Sequence, residues 1–419
     1  MKPTVISKYL ERYAEPEARA VDRVDGPWQH VVCIPACQER DSLLPTLRSI
    51  RAARGAEHAL VVVVLNGAVG ASDAVHEDNA QTADLLSAAC GLTPGPLMWG
   101  ALDGMGICVI DRWSEPLLLP QGQGVGLARK IACDVALALI RNRAVTGQWI
   151  RCTDADVTVP VGYFEVLPDR TTDAAAAVYP FMHMPEGSAV QREAMALYDA
   201  YLRYYVRGLA VAGSPYAFHC IGSLIAVRAQ AYAAVRGFPK REAGEDFYLL
   251  NKLAKIGPVL SPPGDPVQIR GRLSDRVPFG TGASLQKISD LLGAGEPYLV
   301  YAPEIFSGLG IWMNALRDFS VSGDAEGLRT YVREPDSPLR AALYATLEQQ
   351  GAFRAAEAAA AQVSGARLLR RLMEWNDAFR TLKLIHALRD ALGGEIDARV
   401  LLTADGEMLF VEQQRANDV

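Results

Sequence analysis

Apolar residues in the first third of the chain fall in blocks separated by polar, helically spaced stretches. Three short runs, residues 31–34, 60–65 and 107–110, are rich in β-branched side chains, and each ends at a turn-forming or polar residue. Runs of this kind predict strands buried on both faces, as parallel strands are. A helical pattern over 42–53 separates the first two, and a longer one over 125–143 precedes a fourth strand at 148–152. The alternation predicts an α/β fold with a mainly parallel sheet. Ligands of such sheets sit beyond the carboxyl ends of the strands, which singles out residues 35–40, 66–67, 111–112 and 154–156 for chemistry.

Beyond residue 163 the pattern is mixed. Strands are predicted at 174–181 and 223–228, helices at 189–209 and 245–255, and an extended segment at 267–270. From about 284 the chain turns rich in Ala, Leu and Arg with helical spacing, as at 355–361 and 367–392. The expected division is an N-terminal extension over 1–28, a catalytic domain over 29–283 and a mainly helical region over 284–419. No repeat of fixed period stands out.

Composition narrows the function classes. Half the residues are hydrophobic, 21% are charged and the formal net charge is -6. That mild acidity argues against a nucleic-acid binder, which would show a basic stripe. The seven cysteines (33, 37, 90, 108, 133, 152 and 220) lie scattered, mostly among apolar residues, without the spacing of a zinc site. They read as buried, reduced thiols of a cytoplasmic protein. Residues 1–20 carry charges and no apolar core of a signal peptide, and no apolar run approaches the ~20 residues a membrane helix needs.

Asp154 and Asp156 lie two apart just after the fourth predicted strand. Two carboxylates at the end of an extended segment can address one divalent cation together with a diphosphate. Their hard oxygens select Mn²⁺ or Mg²⁺ over softer metals. An acidic surface turn would look the same, but the place after a buried strand favours the metal. Glu245 and Asp246, after Gly244, open a helix, where acidic residues also serve as ordinary capping. A carboxylate held there could act as a general base. The segment from Gln121 to Lys130 (QGQGVGLARK) is a glycine-rich loop entering a helix, a setting that suits phosphate, with Arg129 and Lys130 adding charge. A plain flexible connection is the alternative.

Arg270, Arg272 and Arg276 stand on a glycine-punctuated segment that could close over a diphosphate; they could equally be solvated loop charges. His183 and His219 sit near predicted strand ends, where packed histidines are commoner than metal ligands. His219 is the better metal candidate because it precedes Ile221, Gly222 and Ser223. The Tyr-rich helix (Tyr198, Tyr201, Tyr204, Tyr205) could face an acceptor groove, with core packing the favoured reading.

Four stretches, in order, resemble the family 2 glycosyltransferases, inverting enzymes of the GT-A fold, over about residues 30–282. They are Ile34 to Arg40 (IPACQER), Thr153 to Asp156 (TDAD), Ile221 to Arg228 (IGSLIAVR), and Gly244 to Phe247 (GEDF) shortly after Gly237 to Pro239. The resemblance implies that Pro35, Ala36 and Glu39 line a nucleotide pocket. It also implies that Asp156 chiefly holds the metal, with Asp154 nearer the ribose. Gly222 and Ser223 would then face the acceptor side, and Asp246, beside Glu245, would supply the base. In this family the second strand commonly ends in aspartates that read the nucleobase; here it ends at Asn66 and Gly67, and Asn66 is the substitute. The QxxRW element and membrane helices of processive polysaccharide synthases are absent, so a discrete acceptor is expected. The partners implied are a nucleotide-sugar donor, a small-molecule or glycan acceptor and a second copy in a homodimer. Two rivals remain. A sugar-phosphate nucleotidyltransferase would want a glycine-rich basic loop after the first strand, where this chain has Pro35, Ala36 and Cys37. A non-catalytic nucleotide-sugar-binding module is the other.

Overall fold

Thirteen strands and fourteen helices make up a computed structural model that describes residues 4–21, 26–167, 173–271 and 280–403. Two compact units emerge from the pattern of contacts. One takes residues 1–186 and 220–283, the other residues 187–219 and 284–419.

The strands of the first unit are β1 (His30–Ala36), β2 (Ala59–Asn66), β3 (Met98–Leu102), β4 (Met105–Arg112), β5 (Trp149–Cys152), β6 (Val157–Thr158), β7 (Ala176–Val178), β8 (Phe181–Pro185), β9 (Ile225–Arg228), β10 (Val259–Leu260) and β11 (Val267–Gly271). Its helices are α1 (Val5–Arg12), α2 (Leu43–Ala52), α3 (Asp73–Cys90), α4 (Gly124–Arg141), α6 (Ala229–Ala234) and α7 (Glu245–Leu253), with α5 (Ala189–Val211) belonging to the second unit. Eight strands form one sheet in the order β10-β7-β9-β5-β1-β2-β4-β3. β1 runs parallel to β2 and β5, and β2 runs parallel to β4. Every residue of β1 and β2 is buried, which is why each carries an apolar run, interrupted only by His30 at the start of β1 and Asn66 at the end of β2. On one side α4 packs against both strands and is itself buried at every position from Gly126 to Ile140.

The order of these strands locates the site. From β1 the chain steps outward to β2 and β4, then returns on the other side of β1 to form β5. Between β1 and β5 the winding reverses, and the loops after the two strands diverge to leave a crevice. β9 is antiparallel to β5, so its start lies at the edge where β5 ends. The α/β fold expected from the sequence is the fold observed.

Three departures from the sequence reading have local causes. The extended stretch at 174–181 divides into β7, in the large sheet, and β8, paired with β11 in a three-stranded sheet with β6. Pro180 stands between them; lacking a donor, it cannot continue the first ladder, and its carbonyl accepts from Val267 N at the start of β11. β3 pairs antiparallel with β4 at the sheet edge and is only half-buried, so it carries no apolar run. The apolar pattern over 367–392 is two helices, because Asp377 caps the second by accepting from Arg380 N at 3.1 Å.

The second unit contains α5, most of α8 (Thr281–Gly293), and α9 (Pro303–Ser322), α10 (Ala325–Arg333), α11 (Pro338–Gln349), α12 (Ala352–Ala360), α13 (Gly365–Trp375) and α14 (Ala378–Leu392). A two-stranded ladder joins β12 (Leu299–Tyr301) to β13 (Glu395–Asp397). Trp312 on α9 lies at the centre, fully buried, with its indole N–H donating to Asn376 Oδ1 at 3.1 Å. Tyr204 is buried in this core, and Tyr198, Tyr201 and Tyr205 pack against it, the favoured reading of the Tyr-rich helix.

Candidate active site

β5 delivers the chain to Thr153, Asp154, Ala155 and Asp156, and the turn is pinned from two sides. Thr153 N donates to Cys33 O of β1 at 3.0 Å. From α2, the buried Thr46 hydroxyl lies 2.9 and 2.8 Å from the carbonyls of Ala155 and Val157 and donates to both. Ala155 is buried, which leaves the flanking Asp154 and Asp156 as the half-exposed members of the turn. A carboxylate pair held this way is preorganised for whatever it binds.

Arg129 of α4 links this turn to the carboxylates at the start of α7. It is 4% exposed; Nη1 donates to Glu245 Oε1 at 2.7 Å, and Nη2 donates to Asp154 Oδ1. Gly244, at φ 72°, turns the chain so that Glu245 points inward while Asp246 follows it half-buried. Asp246 Oδ1 accepts from Phe247 N at 2.7 Å. Burial pushes the Glu245 carboxyl up to about 7 and outweighs the pull of the Arg129 guanidinium. Asp246 is also pushed up, by burial first, against the same guanidinium. Arg129 itself is held protonated: the charges of Asp154, Glu245 and Asp246 overcome its burial.

Gly222 completes the arrangement. It lies in the turn Gly222–Leu224 that opens β9, and a Cβ there would fall 1.7 Å from Arg129 Nη1. Ser223, beside it, is buried, and its Oγ has no hydrogen-bond partner among the described residues.

On the β1 side, Pro35 and Ala36 are buried at the end of the strand, level with Val64 and Leu65 of β2. Gln38 follows at φ 55°, and its N–H donates to Asn79 Oδ1 at 3.1 Å, while Asn79 Nδ2 donates to Asn66 O at 3.1 Å. Asn79, on α3, is therefore the tie between the loops after β1 and β2. Sequence reading passed it over, although a polar residue on the inward face of a helix was a usable signal. Asn66 is buried, with its Oδ1 unpartnered among the described residues. Glu39 is buried in the same loop; the Glu186 carboxylate chiefly holds Arg270 protonated against its partial burial, and the charges of Asp156 and Glu39 add to it. Arg270 also grips Glu186 through Nε at 2.7 Å and reaches Ser42 Oγ at 3.3 Å.

Other expected site residues make different contacts, belong to the second unit or lie outside the described residues. Lys130 points into a buried cluster, with Nζ 2.7 Å from Asp134 Oδ2, 2.7 Å from Tyr9 Oη and 2.9 Å from Tyr13 O. The last glycine before it, Gly126, serves chain packing. Gly126 N donates to Arg241 O at 3.0 Å, and a Cβ at Gly126 would lie 2.6 Å from Pro239 O. A backbone carbonyl thus stands at the helix start where an anion was expected. His219 belongs to the second unit; burial and the Arg203 charge push its imidazole down to about 4, Asp199 opposing, so it is neutral near pH 7. His183 is a packed residue, 3.4 Å from Thr281 Oγ1 and edge-on to Phe181. Arg272 and Arg276 lie outside the described residues.

Among the described residues, carboxylates outnumber cations in this crevice. Asp154, Asp156, Glu245, Asp246 and Glu39 face Arg129 and Arg270. Among the described residues no three His, Cys, Asp or Glu side chains converge to hold a metal. The donor set at the end of β5 still fits a hard divalent cation of the Mg²⁺ type, which commonly takes one or two carboxylates and completes its shell with water and phosphate oxygens.

No protein-family profile matches the chain, and no curated protein does. Solved structures do resemble it, at low identity. The Staphylococcus aureus TarS 1–349 complex with UDP-GlcNAc is 11% identical with TM-score 0.40, covering 84% of this chain and 92% of that one. A mannosyltransferase from Pyrobaculum calidifontis, solved with GDP-Man and Mn²⁺, is 16% identical with TM-score 0.36, covering 88% and 93%. Glucosyl-3-phosphoglycerate synthase from Mycobacterium tuberculosis, solved with Mn²⁺, UDP and glucosyl-3-phosphoglycerate, is 14% identical with TM-score 0.32, covering 71% and 86%.

Proposed function

We propose that the chain is a divalent-metal-dependent, inverting glycosyltransferase that moves a sugar from a nucleoside-diphosphate donor to a hydroxyl of a discrete acceptor. One observation carries the reading. Two acidic pairs stand about ninety residues apart, Asp154 with Asp156 and Glu245 with Asp246, and Arg129 joins Asp154 of one to Glu245 of the other at the switch point of a mainly parallel sheet. An α/β sheet binds its ligand at that place, and direct displacement at an anomeric carbon needs a base on the acceptor side and, on the leaving-group side, positive charge of the kind a carboxylate-held cation would supply.

Asp246 takes the proton of the acceptor hydroxyl. The oxygen attacks the anomeric carbon, the bond to the diphosphate breaks on the opposite face, and the configuration inverts. Burial raises the affinity of Asp246 for that proton, as a base requires. A divalent cation on Asp156, with Asp154 beside it, would supply charge compensation for the departing diphosphate. Arg270, next to Asp156, adds a fixed positive charge on the same side. Pro35, Ala36, Glu39 and Asn66 form the wall for the nucleoside.

A thermal-shift series with UDP, GDP, CDP and dTDP in Mn²⁺ tests the donor class, because a ligand of the native state raises its melting temperature. At least one nucleotide should raise it, and the shift should fall with EDTA. Asp246→Asn should keep that shift and lose transfer by at least about 100-fold. Unchanged turnover in this variant would remove Asp246 as the base.

A further inference from the structure

We propose that Arg129 is a positioning residue of the reaction centre: a fixed cation that holds the carboxylate after β5 and the carboxylates opening α7 in one arrangement, seated where Gly222 has no side chain. The inference rests on the transferase reading given above and assigns Arg129 a part that a phosphate ligand could not have.

Three observations support it. First, the two partners come from distant parts of the chain, Asp154 being 25 residues away and Glu245 116 residues away, and both terminal nitrogens of Arg129 point at them. A planar guanidinium can donate in two directions at once; an ammonium is a point charge without that fork. Second, Arg129 and Glu245 are 4% and 3% exposed, so water cannot take over the bond between them. Removing one member of a buried pair leaves the other's charge uncompensated. Third, a Cβ at Gly222 would lie 1.7 Å from Nη1 and 2.4 Å from Cζ of Arg129. The guanidinium ends a flexible side chain, but two ion pairs pin it, and it can yield only by giving one of them up. Gly222 is therefore the space the guanidinium occupies.

The consequence for the chemistry is geometric. With Asp154 drawn to Arg129, Asp156 is the carboxylate of the turn left to face Arg270 and a cation. With Glu245 fixed from the other side, the first turn of α7 cannot rotate, and Asp246 keeps its place. Misplacing reacting groups by about 1 Å can lower a rate about 100-fold without weakening binding.

The test uses the full-length protein with Arg129→Gln, Arg129→Lys, Gly222→Ala and the double variant Arg129→Gln/Gly222→Ala, and has two arms. In the first, melting temperatures are measured without ligand. Gly222→Ala should lower the melting temperature when Arg129 is present and have little further effect when it is Gln, because the clash is then gone. Additive losses would overturn the seat. In the second arm, the nucleotide that shifts the wild type is applied to each variant, and release of nucleoside diphosphate from the matching nucleotide-sugar is followed. Arg129→Gln and Gly222→Ala should bind the nucleotide nearly as the wild type does, with an unchanged KM for donor and kcat down about 100-fold. Arg129→Lys, which also serves if Arg129→Gln does not fold, should restore only part of that loss. Full recovery with Lys would show that charge alone suffices and overturn the fork. Loss of nucleotide binding in step with turnover would make Arg129 a diphosphate ligand and overturn its positioning role. A wild type that none of the four nucleotides shifts overturns the transferase reading and Arg129's part in transfer, while the stability arm still decides the seat.

Discussion

Glu245 shows what burial does to a side chain that solvent would leave ordinary. At 3% exposure its carboxyl rises to about 7 although Arg129 lies 2.7 Å away, because leaving water costs the charged form more than one partner returns. The folded protein thus binds this proton more tightly than the unfolded chain, whose carboxyl titrates near 4.5. The contribution of Glu245 to stability is complete below about pH 4.5 and is lost as pH rises through about 7. Between pH 5 and pH 8 the wild type should lose on the order of 2–3 kcal/mol more than Glu245→Gln, measured by urea unfolding. Parallel pH profiles for the two proteins would exclude the assignment. Lys130 calls for a different experiment. Its partner Asp134 is fully buried, so Lys130→Met should cost about 3–5 kcal/mol while any nucleotide-induced shift persists in the folded fraction. A variant of full stability that loses the shift would return Lys130 to the phosphate role the sequence suggested.

At the scale of elements, the two motifs that looked alike in sequence part company. The acidic turn after β5 and the glycine-rich entry to α4 both stood where chemistry is expected, but the turn brings its carboxylates to the crevice, whereas the entry brings Arg129 there and turns Lys130 away to Asp134. Gly126 approaches the backbone of Pro239 and Arg241 so closely that no side chain would fit, a cause for its glycine that needs no ligand. The turn, in contrast, is braced by α2. Thr46→Val would leave the Ala155 and Val157 carbonyls without the hydroxyl that satisfies them, costing about 1–3 kcal/mol. The same variant should lower transfer more than it lowers nucleotide binding, read as kcat against KM. An effect on neither stability nor kcat would show that the turn holds its shape unaided.

At the scale of the molecule, the second unit owes its stability to its own core. Trp312, Phe306, Phe319 and Phe353 are all buried there, and Trp312 is further fixed by its bond to Asn376. Trp312→Ala should cost about 3–5 kcal/mol in chemical unfolding, with the loss located in that unit by hydrogen exchange. Membership of this unit was not legible from chain order. α5 lies in sequence between β8 and β9 of the first unit, yet its inward face, Ala194, Leu197, Tyr204 and Leu209, is part of the core around α9. No helix among the described residues is long and apolar enough to cross a membrane.

Sequence alone determined the α/β class, because strands buried on both faces must be apolar through their middle, and β1, β2 and β4 are. It also determined that Asp154 and Asp156 follow a buried strand and that Glu245 and Asp246 open a helix, since those facts depend only on neighbours along the chain. It could not see that β8 leaves the sheet of β7, because a single Pro180 decides it through a ladder bond formed 87 residues later with Val267. Nor could it tell which cation meets which carboxylate. Arg129 and Lys130 are adjacent in sequence, but about 100° apart around a helix, so one faces Asp154 and Glu245 and the other faces Asp134. Contacts across 25 and 116 residues, and the empty space at Gly222 that admits them, exist only once the sheet has closed the distance.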